Sequence, residues 1–165
     1  MRDSSPLFVA ACAIVAIGCG NTGGPVIPKD ASALQMQKLP ELLVVEHYSG
    51  ISTRERLVIR DASTWASTWA EIMEGRSPTP PVPAVDFANE MIILAAMGGR
   101  STGGYSIEFK AVHEASGRVY ATVEERSPGS NCFVTNAVTA PLAGVRAPLR
   151  EGEVVFVEKQ QTTNC

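Results

Sequence analysis

Histidine is nearly missing from this chain, lysine is missing from its glycine-rich loop, and the apolar run near the N-terminus is too short for a membrane span. The 165 residues hold two histidines, His47 and His113, far apart in sequence. They leave little material for a metal centre beside the four cysteines, so no metal site and no cofactor is expected. Charge is scarce too. A net charge of −3 with 19% charged residues offers no basic patch for phosphate backbones, which excludes a nucleic-acid partner. What is present is an ordinary globular composition: 45% apolar residues, and a length that fits one domain with a real core.

The start of the chain reads as an address. In "MRDSSPLFVAACAIVAIGC" one arginine precedes an apolar stretch from Pro6 to Ile17 and a small residue before Cys19, the layout of a secretory signal. The tail "AIGC", Ala16 to Cys19, resembles a bacterial lipobox, in which the signal is cut before the cysteine and the cysteine takes lipid. Ala16 stands where leucine is preferred, and "VAAC" ending at Cys12 also fits but leaves too short an apolar region. An ordinary cleaved signal and a retained anchor are the alternatives. The expected organisation is a signal over 1–18, a Gly/Pro-rich tether over 19–39, and a globular domain over 40–165. Gly20 after the lipid-bearing cysteine, where aspartate retains a lipoprotein at the inner membrane in enteric-type sorting, points to an outer-membrane lipoprotein. With Cys12 in the signal and Cys19 lipidated, Cys132 and Cys165 remain as an even pair in an oxidising compartment, which suggests a disulfide.

Periodicity places the elements. "LPELLVVEHYSGI", Leu39 to Ile51, alternates like a strand and is followed by a second, Arg54 to Asp61, in a hairpin. Asp61 can cap a helix whose apolar stripe is Trp65, Trp69, Ile72 and Met73, ended by Gly75. The tryptophans are expected against a sheet rather than as a sugar platform. The run with Pro78, Pro80, Pro81 and Pro83 is expected to be a stiff crossover. "EMIILAAMG", Glu90 to Gly98, reads as a central strand buried on both faces. Strands at Tyr105–Glu114 and Arg118–Arg126 flank a turn at Ala115–Gly117, "CFVTNAVTAP" is ambiguous, and Glu153 to Gln161 is a last strand. About seven strands and one main amphipathic helix make a β-rich α+β domain, a sandwich or rolled sheet, mostly antiparallel.

Between two of these strands lies "GGRSTGGY". A phosphate loop needs lysine and a following helix; this run has neither and leads into a strand. A dinucleotide fingerprint and a serine-hydrolase elbow fail for the same reason. Glycine supplies the positive φ angles of a sharp connection. Gly98, Gly99, Arg100, Ser101, Thr102, Gly103 and Gly104 are therefore a connection first and a candidate binding loop second. Arg100 is the side chain suited to an anion or carboxylate, the tip from Arg100 to Thr102 is expected to be exposed, and Tyr105 is expected in the core with Ile107 and Phe109.

The stretches "VDFANEMIILAAMGGRSTGGYSIEF", "ATVEERSPGSNC" and "NAVTAPLAGVRAP" together resemble the C-terminal domain of PrcB-like proteins, a family named after a lipoprotein subunit of a secreted, subtilisin-like protease complex. Gly98, Gly103, Gly104, Tyr105, Pro128, Gly129 and Pro141 carry the resemblance, which covers about Asp86 to Phe156. It implies no catalytic residues. It implies an exported accessory or binding subunit, partnered by a secreted or surface protease or another envelope protein, and the lipobox, which would anchor the chain to the membrane through lipid, agrees with it independently. Two other readings stay open: a protease inhibitor that inserts the glycine loop or the proline run, and an exported hydrolase with Ser101 or Thr102 as nucleophile. The latter needs His47 or His113 within hydrogen-bond reach of that hydroxyl.

Overall fold

Strand-forming runs dominate the computed structural model, which describes residues 24–45 and 47–165. Among them are β1 (Ser32–Leu34), β2 (Gln37–Lys38), β3 (Glu55–Ile59), β4 (Glu90–Ala96), β5 (Ser106–Ala115), β6 (Arg118–Pro128), β7 (Leu142–Pro148) and β8 (Val154–Thr163), with one α-helix, α1 (Ala62–Ile72), between β3 and β4. The strands form two sheets, ordered β1-β5-β6-β8 and β2-β7-β4-β3. The expected β-rich α+β class holds.

The apolar run of β4 explains the layering. Met91, Ile93 and Ala95 point between the sheets, where they meet Phe109, Val112, Val119, Ala121 and Val123. Ile92, Leu94 and Ala96 point the other way, onto a cluster that includes Trp65, Trp69 and Ile72 of α1. A strand covered on both faces has no polar positions to alternate with, so its sequence is a continuous apolar run. The helix follows from local signals as well. Asp61 accepts from the Thr64 amide at 2.8 Å, capping the first turn. Trp65 Nε1 donates to the Pro83 carbonyl at 2.9 Å and Trp69 Nε1 to the Pro80 carbonyl at 3.0 Å. The proline-rich crossover therefore lies over α1 and supplies the acceptors that two buried indoles require.

Several expectations are corrected. The stretch from Leu39 is not a strand: Pro40–Val45 is a 3-10 helix, and no hairpin forms with β3, which pairs with β4 instead. Leu39, Leu42 and Val45 are buried at a spacing of three, the 3-10 period. Part of the stretch expected to be a tether is folded, since β1 pairs with β5 and β2 with β7. β5 carries a bulge between Phe109 and Ala111. Beyond it Val112, not Ala111, is buried, because one extra residue flips the later side chains to the other face. β8 joins β6 in parallel, whereas the other strand ladders among the described residues are antiparallel.

The sheets are also joined by charge. Arg54 and Arg56 reach from the β3 edge to Glu125 on β6 and Glu158 on β8. Burial alone lowers the Arg56 pKa, but hydrogen bonds and charge from Glu158 and Glu125 outweigh it and hold the guanidinium above its ordinary value. Glu124 lies beside Lys110 and Arg126. There burial raises the carboxyl pKa, and hydrogen bonds from Arg126 and Lys110 bring it below its ordinary value.

Candidate functional site

The glycine loop leaves β4 through a turn that only glycine accommodates well. Gly98 has φ +76°, and a Cβ there would lie 2.8 Å from the Thr53 carbonyl carbon. The backbone of 52–54 packs this close because the Gly99 amide donates to the Ser52 carbonyl at 2.8 Å. At the far end Gly104 has φ +87°, with the Val134 side chain and Pro128 against its open face.

Between these glycines the loop is held by a second segment, 131–140. The Arg100 amide donates to the Thr139 carbonyl at 2.7 Å, and the Thr139 amide donates back to the Arg100 carbonyl at 2.9 Å. Thr139 Oγ1 donates to the Thr102 carbonyl at 2.9 Å, and the Gly103 amide to the Thr135 carbonyl at 2.9 Å. The expectation of a free, exposed tip is thus corrected in part. Ser101 is exposed, whereas Arg100 and Thr102 are half-buried. The Arg100 guanidinium lies 5.5 Å from the centre of the Tyr105 ring, within cation–π range. Tyr105 is itself half-buried, packed against the inter-sheet cluster that contains Ile107 and Phe109.

The second segment shows apolar side chains to solvent. Phe133 is fully exposed and Val138 is 68% exposed. Tyr48, 52% exposed, is paired beside Ala140. Two neighbouring loops therefore present aromatic and aliphatic groups, a guanidinium and hydroxyls on a sheet framework, a combination found at protein interfaces. Cys132 and Cys165 are brought together with their Cα atoms 5.0 Å apart, within the span a disulfide requires. Cys19 lies outside the described residues.

The hydrogen bond that the hydrolase reading requires is not made among the described residues. His113 lies in β5, roughly 20 Å along the strand from Ser106. His47 uses its carbonyl to accept from the Ala140 amide, and among the described residues no hydrogen bond joins either imidazole to Ser101 or Thr102. Among the described residues, too, no group of three or more His, Cys, Asp and Glu side chains is placed to hold a metal ion.

Residues 91–148 match the family model described as PrcB C-terminal. The PrcB C-terminal match runs from β4 to the end of β7 and contains both loops of the site. It agrees with the resemblance carried by Gly98, Gly103, Gly104 and Pro141, and at the level of the family it supports an accessory module of a protease complex. No curated protein and no solved structure matches the chain. The 131–140 segment was missing from the sequence-based site. Its sequence mixes Phe133, Val134, Ala137 and Val138 with threonines and asparagines, and that pattern does not distinguish a display loop from a short strand.

Proposed function

We propose that this chain is a non-catalytic accessory module of the bacterial cell envelope. In this reading it is exported, held at the outer membrane by lipid on Cys19, and docks a secreted or surface protease through loops 98–104 and 131–140. The observation that carries the reading is the backbone pairing of Arg100 with Thr139, which joins the loop of Arg100 to the segment that exposes Phe133 and Val138, both within the span 91–148 matched by the PrcB C-terminal model. Aromatic and arginine anchors of this kind dominate protein–protein binding energies. The test is cross-linking in the native envelope followed by mass spectrometry. A protease should be captured by the natural chain and lost from the doubly substituted Phe133→Asp, Val138→Asp chain, with the melting temperature of the domain preserved. Capture that survives the double substitution removes the loops from the interface. The anchor is checked separately: Cys19→Ser should abolish palmitate labelling and release the protein from the membrane fraction.

A further inference from the structure

A second surface begins just beyond these loops, on the first sheet. β5 is paired along its inner edge with β6 from Ser106 to Ala115. On its outer edge β1 covers only Val112, His113 and Glu114. The reason is a switch of sheets: after Leu34 the chain crosses over and joins β7 as β2, with Gln37 opposite Arg146 and Lys38 opposite Val145. Ser106 to Phe109 are left with no ladder partner on that side among the described residues. Uncovered edges are normally blunted or occupied. The bulge after Phe109 lies at the boundary between the open and covered parts and leaves Ser106–Phe109 itself regular.

Beside this open edge is a cleft of about 230 Å³. Its lining includes Leu42, Leu43, Phe109 and Leu142, with Lys38 and Arg126 also contributing. Leu43 is 65% exposed, while Leu42, Phe109 and Leu142 are buried. The volume falls below the roughly 300–1,000 Å³ of small-molecule pockets and suits one or two side chains. Charge narrows the choice. Arg126 is already answered by Glu108 and Glu124, whereas Lys38 is exposed and makes no ion pair among the described residues.

We propose that the open edge of β5 at Ser106–Phe109 takes up an extended peptide segment as an added strand, in line with β1, with a bulky apolar side chain in the Leu42–Phe109–Leu142 cleft and an acidic side chain on Lys38. Main-chain hydrogen bonds to the edge supply affinity, and the cleft and the ammonium supply selectivity, the division of labour in strand addition. This site does not depend on the loop interface proposed above.

The test is fluorescence anisotropy on the full chain. The probes are labelled hexapeptides alternating threonine with leucine, isoleucine, valine or phenylalanine and carrying one glutamate. Twin probes are methylated on alternate backbone amides, and others carry glutamine for glutamate. Saturable binding is expected, at least about tenfold weaker for the methylated twins, which cannot complete the ladder. Lys38→Glu should weaken the glutamate probes about fivefold and leave the glutamine probes nearly unchanged. Leu43→Glu should weaken all of them. Both substitutions fall on exposed side chains, so the melting temperature should hold. The proposal is overturned if no probe binds, if methylated and plain probes bind equally, or if neither substitution matters. It is also overturned if sedimentation shows that a second copy of the chain occupies the edge, as a dimer that Leu43→Glu dissolves and the probes do not.

Discussion

At Gly104 the backbone sits at φ +87°, and an added Cβ would lie 2.8 Å from Val134 Cγ1 and 3.1 Å from Pro128 Cβ. Gly104→Val therefore combines a strained backbone with a steric clash, and a loss of about 2 kcal/mol or more in urea unfolding is expected. Arg100→Ala removes a half-exposed cation from the Tyr105 ring and should change stability by no more than about 1 kcal/mol, while weakening capture of the protein partner. A glycine-rich turn was legible from composition alone. That its backbone is pinned to Thr139 was not, because the pairing joins residues far apart in the chain. The cap of α1 lies at the opposite extreme, since its partners are sequence neighbours. Hydrogen bonds from the Ser63 side chain, the Thr64 amide and the Thr64 side chain lower the Asp61 pKa from 3.8 to about 2. A carboxylate with a depressed folded pKa contributes stability in full above its unfolded value, and that contribution is lost as pH falls through about 2. The melting-temperature deficit of Asp61→Ala should accordingly be constant from pH 7 to about 5 and shrink between about pH 4 and pH 2. Asp61→Asn, which keeps an acceptor without a charge, should also approach the natural chain as pH falls.

Whole elements were legible where the pattern and the environment had one cause. β4 is apolar throughout because both its faces are covered, and α1 shows its stripe because one face meets a sheet. The 3-10 helix was misread because Leu43, Val45 and His47 happen to alternate, while the buried set is Leu39, Leu42 and Val45. β1 and β2, three and two residues long, are too short for any period to register, and their partners are set by tertiary contacts. The ionic clamp between the sheets was equally hidden, since Arg56 and Glu125 lie on elements distant in sequence. Its burial makes it testable. The Glu125 side chain is 7% exposed and that of Arg56 12%, and removing one partner of a covered pair leaves the other charge uncompensated. Chemical denaturation should show Glu125→Ala costing about 2–4 kcal/mol. Glu153→Ala breaks a pair exposed at 59% and 63% and should cost less than about 1 kcal/mol. Equal effects from the two substitutions would mean that the clamp contributes no more than a surface pair.

Across the whole molecule, the site depends on how the 131–140 segment is fastened to β8. The segment 131–140 carries Phe133 and Val138 but buries few apolar side chains of its own. Its position rests on hydrogen bonds to the glycine loop, on the Gly129 amide donating to the Thr163 carbonyl at 2.9 Å, and on the meeting of Cys132 with Cys165. The last two tie it to the end of β8, whose ten residues run parallel to β6. β8 is the edge strand of its sheet, and the 131–140 segment would move with its end. A disulfide there would fasten the 131–140 segment to the end of β8. It would also close a loop of 33 residues, worth roughly 3–4 kcal/mol on the chain-entropy account. Protein isolated from the envelope should gain two free thiols, by intact mass and alkylation, only after reduction. Cys132→Ser with Cys165→Ser should lower the midpoint of unfolding. In hydrogen exchange the loss of protection should be confined to 131–140 and the end of β8, while β4 stays protected at the global level. Partner capture should fall together with that protection, because the segment that carries Phe133 and Val138 would no longer be held to the glycine loop. If both thiols are free in the isolated protein, the link does not form in the cell. Unchanged exchange in the double serine variant would instead mean that hydrogen bonds alone hold the loop pair in register.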